Sequence, residues 1–333
     1  MNSADSEEER LQALLAEAGR RPQLPEAKKK AWEALFRREL GTIVTARRQR
    51  RRTFYAATAA VMVGVAGVLL LLGPPLQQSI VVAEIVSAVH GNQTFRNGAK
   101  IAPLIEGSKV HVGQTVRTAA QGTLALAYRN ADVRLHTDTT VRFDAARIEL
   151  IKGSIYVDTG TDHQHGALPV IITTPLGSFS HLGTQFMVAV DDAHEVMAAV
   201  REGSIILRTQ HVQQNFTASQ DMAQLIRISG SGAIETEQAE RHGQLWAWVV
   251  ASSPGRVIDG LSAHEVLGWI ARELGLRLAY ANKEVRQVAT ENSMHAPNIP
   301  VGPRQALSQV RATFESFQVD DSAGVELLVS PRD

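Results

Sequence analysis

His163 and His165, in Thr161-Asp162-His163-Gln164-His165-Gly166, place two imidazoles and a carboxylate within six residues, the donor types that hold zinc. The spacing offers no third convergent donor, and histidines two apart in a polar turn are far more often solvated than ligated. The segment is read as a loop between strands, and no metal is expected. Ser178, Ser180 and His181 invite a nucleophile–base reading. Ser180 is followed by His181 rather than by x-Gly, however, and no strand-to-helix elbow is predicted, so this stretch is a strand connection. The pairs Asp191-Asp192 and Asp320-Asp321 sit at turns, where a solvated surface is the default and acid–base work would demand burial. No phosphate-binding or dinucleotide fingerprint occurs, and Gly230-Ser231-Gly232 is a loop. Cysteine is absent, which removes thiol catalysis, disulfides and thiolate zinc sites. The expectation is a protein that is not an enzyme and carries no cofactor.

The elements that position these residues divide at one stretch. Phe54 through Leu72 holds no charge and follows Arg47, Arg48, Arg50, Arg51 and Arg52. As a helix it would span roughly 28 Å, close to the ~30 Å hydrocarbon layer of a bilayer. Basic residues are retained on the cytoplasmic side, so the N-terminus is expected inside and the rest outside. A cleaved secretory leader is disfavoured, because about fifty residues precede the apolar run and the run exceeds the usual 7–15. Ala56, Ala60 and Gly64 form a ridge of small residues that would let two such helices pack as a homodimer.

The formal net charge is zero, yet residues 1–53 hold 13 Lys and Arg against 8 Asp and Glu. Topology and anionic lipid account for that excess, and no direct nucleic-acid partner is expected. Residues 1–53 read as a short cytoplasmic helical segment, residues 54–73 as the transmembrane helix. Leu11, Leu14, Leu15 and Ala18 make one apolar stripe; Trp32, Leu35, Phe36, Leu40 and Ile43 make another. Helices this short bury little against each other, so Trp32, Leu35 and Phe36 are candidate partner-binding residues.

After Gly73-Pro74-Pro75 the apolar period changes to two. Thr123–Tyr128, Val133-Arg134-Leu135 and Ile155-Tyr156-Val157 alternate, with breaks at Asn97-Gly98, Asn130-Ala131-Asp132, Gly160 and Asp191-Asp192. About a dozen short strands fit in residues 81–234, which argues for an all-β sandwich, roll or solenoid. Lys152-Gly153-Ser154-Ile155-Tyr156-Val157 and Glu202-Gly203-Ser204-Ile205-Ile206-Leu207 form a weak repeat, each read as a glycine turn into a strand that folds back on its predecessor.

Glu237–Val250 is expected to be a helix within a connector, residues 235–256, whose Trp246 and Trp248 pack neighbouring modules together. Residues 257–333 read as a small α+β module. Ser262-Ala263-His264-Glu265 is a capping box, and Ala263, Val266, Leu267, Ile270, Ala271 and Leu274 keep helical spacing up to Gly275. A strand follows at Leu276–Tyr280, a helix starts at Pro303, and Phe317–Val319 and Val325–Val329 close the module. Leu276, Leu278, Tyr280, Val325, Leu327 and Val329 are candidate partner-binding residues, on strands whose edges could accept a strand of another chain. The fold class is mainly β.

Three fragments in order carry a resemblance: Thr174-Pro175-Leu176-Gly177, then Gly183-Thr184-Gln185-Phe186-Met187-Val188, then Val200-Arg201-Glu202-Gly203-Ser204-Ile205. They are similar to the TP-x-G, GT-x-F-x-V and V-x-EG succession of the FecR family of membrane-spanning regulators. The C-terminal segment resembles the short N-terminal module of secretins and TonB-dependent transporters. The resemblance implies a single-pass, inner-membrane, anti-sigma type regulator. Such a protein listens to a TonB-dependent transporter in the outer membrane and controls an extracytoplasmic-function sigma factor through its N-terminal segment. That segment is shorter here than the usual sigma-binding domain. The reading from another class is an envelope scaffold or glycan-binding protein with no transcriptional role.

Overall fold

A computed structural model describes residues 80–332 except 97, 161–168 and 323. The span at Phe54–Leu72, the candidates Trp32, Leu35, Phe36, Ala56, Ala60 and Gly64, and the histidines His163 and His165 lie outside the described residues. Among the described residues, no helix is long and apolar enough to cross a membrane.

Fifteen strands form one sheet. In chain order they are β1 (Val81–Val89), β2 (Gln93–Arg96), β3 (Ala99–Pro103), β4 (Lys109–His111), β5 (Thr115–Arg117), β6 (Thr123–Tyr128), β7 (Ala131–Leu135) and β8 (Thr140–Phe143). Then come β9 (Ile148–Asp158), β10 (Ile171–Thr174), β11 (Gly177–Val190), β12 (Val196–Arg208), β13 (Gln213–Thr217), β14 (Met222–Ile228) and β15 (Ile234–Glu240). The sheet folds over into two layers because three long strands serve both. The C-terminal half of β9 pairs with β7 and β11, while its N-terminal half pairs with β8 and, in parallel, β10. Likewise β12 pairs with β14 before Gly203 and with β13 after it. One apolar core lies between the layers, with Val133, Ile155, Phe186 and Val200 from one and Val141, Phe143, Ile172 and Leu207 from the other.

The bends fall on glycines. Gly153, Gly183 and Gly203 have φ of 89°, 65° and 78°, the left-handed region that side chains resist. A Cβ on Gly153 would stand 2.4 Å from Thr139 Oγ1, and one on Gly203 would stand 2.1 Å from the Gly183 carbonyl oxygen. The two repeat copies are therefore real, but their glycines are bends inside continuing strands rather than turns. The chain does not reverse there; it changes partners.

The expected helix at Glu237–Val250 is corrected. Residues 234–240 form β15, paired with β14 over seven registered positions, so the β domain runs past the boundary at 234. Gly243, at φ 84°, then breaks the strand, and only a 3-10 turn at Gln244–Trp246 and a short helix α1 (Ala247–Ala251) follow. Glu235 and Glu237 alternate with Thr236 and Gln238 along an edge, a polar period-two pattern easily mistaken for a charged helix.

The C-terminal module holds α2 (Ala263–Leu274), β16 (Arg277–Tyr280), α3 (Lys283–Glu291), α4 (Pro303–Thr313), β17 (Phe317–Asp320) and β18 (Glu326–Pro331). The capping box forms: Ser262 Oγ accepts from Glu265 N, and Glu265 Oε2 accepts from Ser262 N at 2.8 Å. Gly275 ends α2 at φ 74°, and Pro303 takes the first position of α4. Helix α3 was not legible in three weak apolar positions, although Asn282, whose Oδ1 accepts from Val285 N at 2.8 Å, marks its start. The sheet order is β16-β18-β17, so the stretch Val325–Val329 is not an edge. β18 is paired on both sides, and Leu327 and Val329 are fully buried in the module's own core.

Replacing Gly203 with Ala should lower stability by at least about 2 kcal/mol, from left-handed strain plus the clash with the Gly183 carbonyl. Gly230→Ala, with nothing near its added methyl, should shift it by under about 0.5 kcal/mol. Urea midpoints of the two variants check the contrast.

Candidate functional site

The layer β7–β9–β11–β12–β14 is buried on both faces. One face supplies the apolar core. Its other face carries Arg134, Tyr156, Asp158, Gln185, Met187, Ala199, Arg201 and Leu225, all buried. What covers them is the turn before α1, α1 itself, and the C-terminal end of α2. The site is a joint between the β domain and the C-terminal module.

At its centre Arg134, 1% exposed, makes a two-pronged contact with Glu273 of α2: Nη1 donates to Oε2 at 2.8 Å and Nη2 to Oε1 at 2.7 Å. Nη1 also donates to the Val249 carbonyl of α1 at 2.9 Å, and the guanidinium lies 5.3 Å from the centre of the Tyr156 ring. Burial alone would lower the Arg134 pKa, but the Glu273 charge and hydrogen bonds outweigh it and hold the group charged. Burial drives the Tyr156 hydroxyl far above its ordinary value, so it stays neutral.

Arg272, one residue away on the same helix end, reaches a second carboxylate. Its Nη2 donates to Asp158 Oδ1 at 2.5 Å and its Nη1 to Glu202 Oε2 at 3.1 Å. Gln185 Nε2 donates to Asp158 Oδ2 at 2.8 Å. Burial pushes the Asp158 carboxyl upward, yet the Arg272 hydrogen bond and charge prevail and hold it below the usual aspartate range. Asp132, on β7 and itself exposed, is shifted the other way by partial desolvation.

Arg201 has no carboxylate of its own. Its Nε donates to the Arg241 carbonyl at 2.5 Å, its Nη1 to the Glu273 carbonyl at 3.1 Å, and its guanidinium lies 4.8 Å from the centre of the Trp246 ring. The last carbonyls of a helix lack intrahelical partners and carry the negative end of its dipole. A cation of the β domain thus caps a helix of the other module. Gly275 makes room for it: a Cβ there would stand 2.4 Å from Arg201 Nε and 2.1 Å from the Arg241 carbonyl. At the rim, Arg277 at the start of β16 pairs with Asp221 of the β13–β14 turn at 3.6 Å.

The tryptophans, expected to pack the two modules together, are seen against the β domain. Trp246 is fully buried, meets the Tyr156 ring edge-on, and donates from Nε1 to the Glu240 carbonyl; Trp248 stacks on His136 at 4.7 Å. Of the other sequence candidates, Leu276 and Leu278 are half-buried against the C-terminal core. Tyr280 Oη bonds His264 Nδ1 at 2.8 Å, with burial pushing the phenol up to about 12. Val325 is exposed. Ser178, Ser180 and His181 lie within β11 itself, where His181 Nε2 accepts from Val170 N at 2.9 Å. Among the described residues, no group of three or more His, Asp or Glu side chains could hold a metal ion.

Sequence reasoning missed Arg134, Asp158, Gln185, Arg201, Arg272 and Glu273. A signal existed. Ile155-Tyr156-Val157, Phe186-Met187-Val188 and Ala198-Ala199-Val200 are apolar without interruption, the mark of strands covered on both faces.

Residues 114–206, from just before β5 to the second half of β12, match the protein family described as FecR protein, so the chain contains a FecR domain. Arg134, Asp158, Gln185, Arg201 and Glu202 fall inside the matched segment. No curated protein matches the chain. Two crystal structures of a proposed anti-sigma factor from Parabacteroides distasonis ATCC 8503, at 1.65 and 2.50 Å, resemble it at 12% and 11% identity. Each match covers 66% of this chain and 98% or 99% of the other, with a TM-score of 0.34.

Glu273→Ala leaves the Arg134 guanidinium buried and unpaired, and should reduce the stability of the joined unit by about 3–5 kcal/mol in urea titration. The folded Asp158 pKa is depressed, so its contribution is complete above the ordinary aspartate range and lost as pH falls through the lower, folded value. Asp132, raised in the fold, contributes with the opposite sign, so mild acid relieves it. Urea midpoints between pH 7 and pH 2.5 should fall below about pH 4, and Asp158→Asn should lower the neutral plateau and flatten that acid limb.

Proposed function

We propose that this chain is a single-pass regulator of the bacterial inner membrane, with its N-terminus in the cytoplasm and its FecR domain and C-terminal module in the periplasm. In this reading residues 1–53 control an extracytoplasmic-function sigma factor through Trp32, Leu35 and Phe36, and the C-terminal module receives a TonB-dependent transporter or another envelope protein. The protein works without catalysis and without a cofactor. Ala56, Ala60 and Gly64 pair two spans. The observation that carries the reading is the FecR match at 114–206, placed after a basic segment and nineteen uncharged residues.

The structure narrows where a partner strand could add. With β18 enclosed, β16 keeps one side unpaired by any described strand, and Leu278 and Tyr280 lie along it. One helix cannot pass a signal by bending alone, so transmission requires a change in span association or a cut near the span.

Alkaline phosphatase fused after Asp333 should be active in intact cells, and the full chain should score against a sigma factor encoded nearby in a bacterial two-hybrid assay. Trp32→Ala with Phe36→Ala should lower that score at least tenfold. An inactive fusion removes the topology. An active fusion with no sigma contact, normal transcription in a deletion strain and retention on cell-wall material would put the envelope scaffold or glycan-binding reading in its place.

A further inference from the structure

The C-terminal module is attached to the β domain by charge, while each unit has a core of its own. The two main apolar clusters share no residue. Parting the modules would leave both standing, at the loss of the contact of Val250 in α1 with the C-terminal core, and would return Arg134, Arg272, Asp158 and Glu273 to water, where each regains its hydration. Such an interface separates more readily than an apolar one of the same area. The docked state is also incompletely satisfied: Arg134 Nε and Gln185 Oε1 are buried without a hydrogen-bond partner. These are groups that water would serve on opening.

The chain between the modules allows a limited movement. Arg256 is already bridged to Val301 of the C-terminal module, and Ile258 is buried in that module's core. Between α1 and Arg256 lie Ser252-Ser253-Pro254-Gly255, with Ser252 capping α1 and Gly255 set against Pro300, a stretch that reaches about 13 Å when extended. That is enough to swing the end of α2 out of its seat, and too little to let the module drift away.

We propose that the face formed by Arg134, Asp158, Gln185 and Arg201 is a receptor for the C-terminal end of α2, and that the helix end leaves and re-enters it as a latch hinged at Ser252–Gly255. The seat reads two side chains of opposite charge, Arg272 and Glu273, together with the helix's own terminal carbonyls. A ligand of the C-terminal module that favours one position of α2 then switches the exported half between two arrangements without unfolding either core. The assignment of a signalling role to that switch rests on the regulator reading above; the latch itself does not.

The absence of native cysteine makes the test direct. Nitroxide labels on Asp221→Cys and Arg277→Cys, which face each other across the rim, report the distance between modules in the full-length chain in lipid nanodiscs. The latch predicts a short distance with a minor longer one. Glu273→Ala should raise the longer population at least about tenfold, and the isosteric Glu273→Gln should raise it less, with circular dichroism unchanged. Gly275→Ala, which crowds Arg201 from the other side, should move it in the same direction. Should Glu273→Ala disrupt folding, Glu273→Gln decides. A distribution unmoved by both Glu273→Gln and Gly275→Ala, or one that lengthens only together with loss of β structure, overturns the latch. If the distances shift and sigma-dependent transcription does not, the latch stands and the regulator reading falls.

Discussion

A guanidinium removed from water must be matched by charge and hydrogen bonds, and Arg134 and Arg201 impose that requirement on everything around them. Both stand on the outer face of a sheet layer whose inner face is already committed to the apolar core. With the α2 end absent, that face would lose the carboxylate that answers Arg134 and the carbonyl that answers Arg201, and water would have to serve them. With α2 in place, Glu273 answers Arg134 in two bonds and the helix carbonyls answer Arg201. The β domain therefore has a surface matched in charge and hydrogen bonding to one particular helix end.

That surface exists because of the glycine bends. Strands that stayed in one layer would each have one face for the core and one for solvent. By changing partners at Gly153, Gly183 and Gly203, β9, β11 and β12 close the core on both sides with their two halves. The central halves, paired on either edge, form a platform for another module. Two of the three bends, Gly183 and Gly203, also touch each other, since the space a Cβ on Gly203 would need is filled by the Gly183 carbonyl. The bends and the platform are one constraint seen at two scales.

The sequence carried the strands, the capping box and the stop at Gly275, because each depends on local spacing. It did not carry the joint. Arg134 within an alternating strand looks the same whether the far face meets water or a helix, and Arg272-Glu273 at a helix end looks like ordinary solvated polarity. Their pairing spans more than a hundred residues, and no local period encodes that. The helix expected at 237–250 failed for the opposite reason. Its heavy apolar end, Leu245 to Val249, was real, but Gly243 confines it, and the acidic alternation before it belongs to an edge strand. The enclosure of Val325–Val329 was likewise a matter of sheet order, which short apolar strands do not announce.

The joint also explains why the module's open edge and its docked helix cannot act independently. Gly275 is the last residue of α2's cap, and β16 begins two residues later at Arg277, which pairs with Glu326 of its own sheet and with Asp221 of the β domain. Leu276 between them donates to the Ala271 carbonyl, so the helix end and the strand start are tied by one short turn. A strand added along β16 would act on the same few atoms that Arg201 and Arg134 hold. Two sites so joined bias a common element, and differential binding at one must appear as altered docking at the other. The coupling needs no long path through the core. It follows from placing a helix terminus, a glycine cap and an edge strand within five residues of chain.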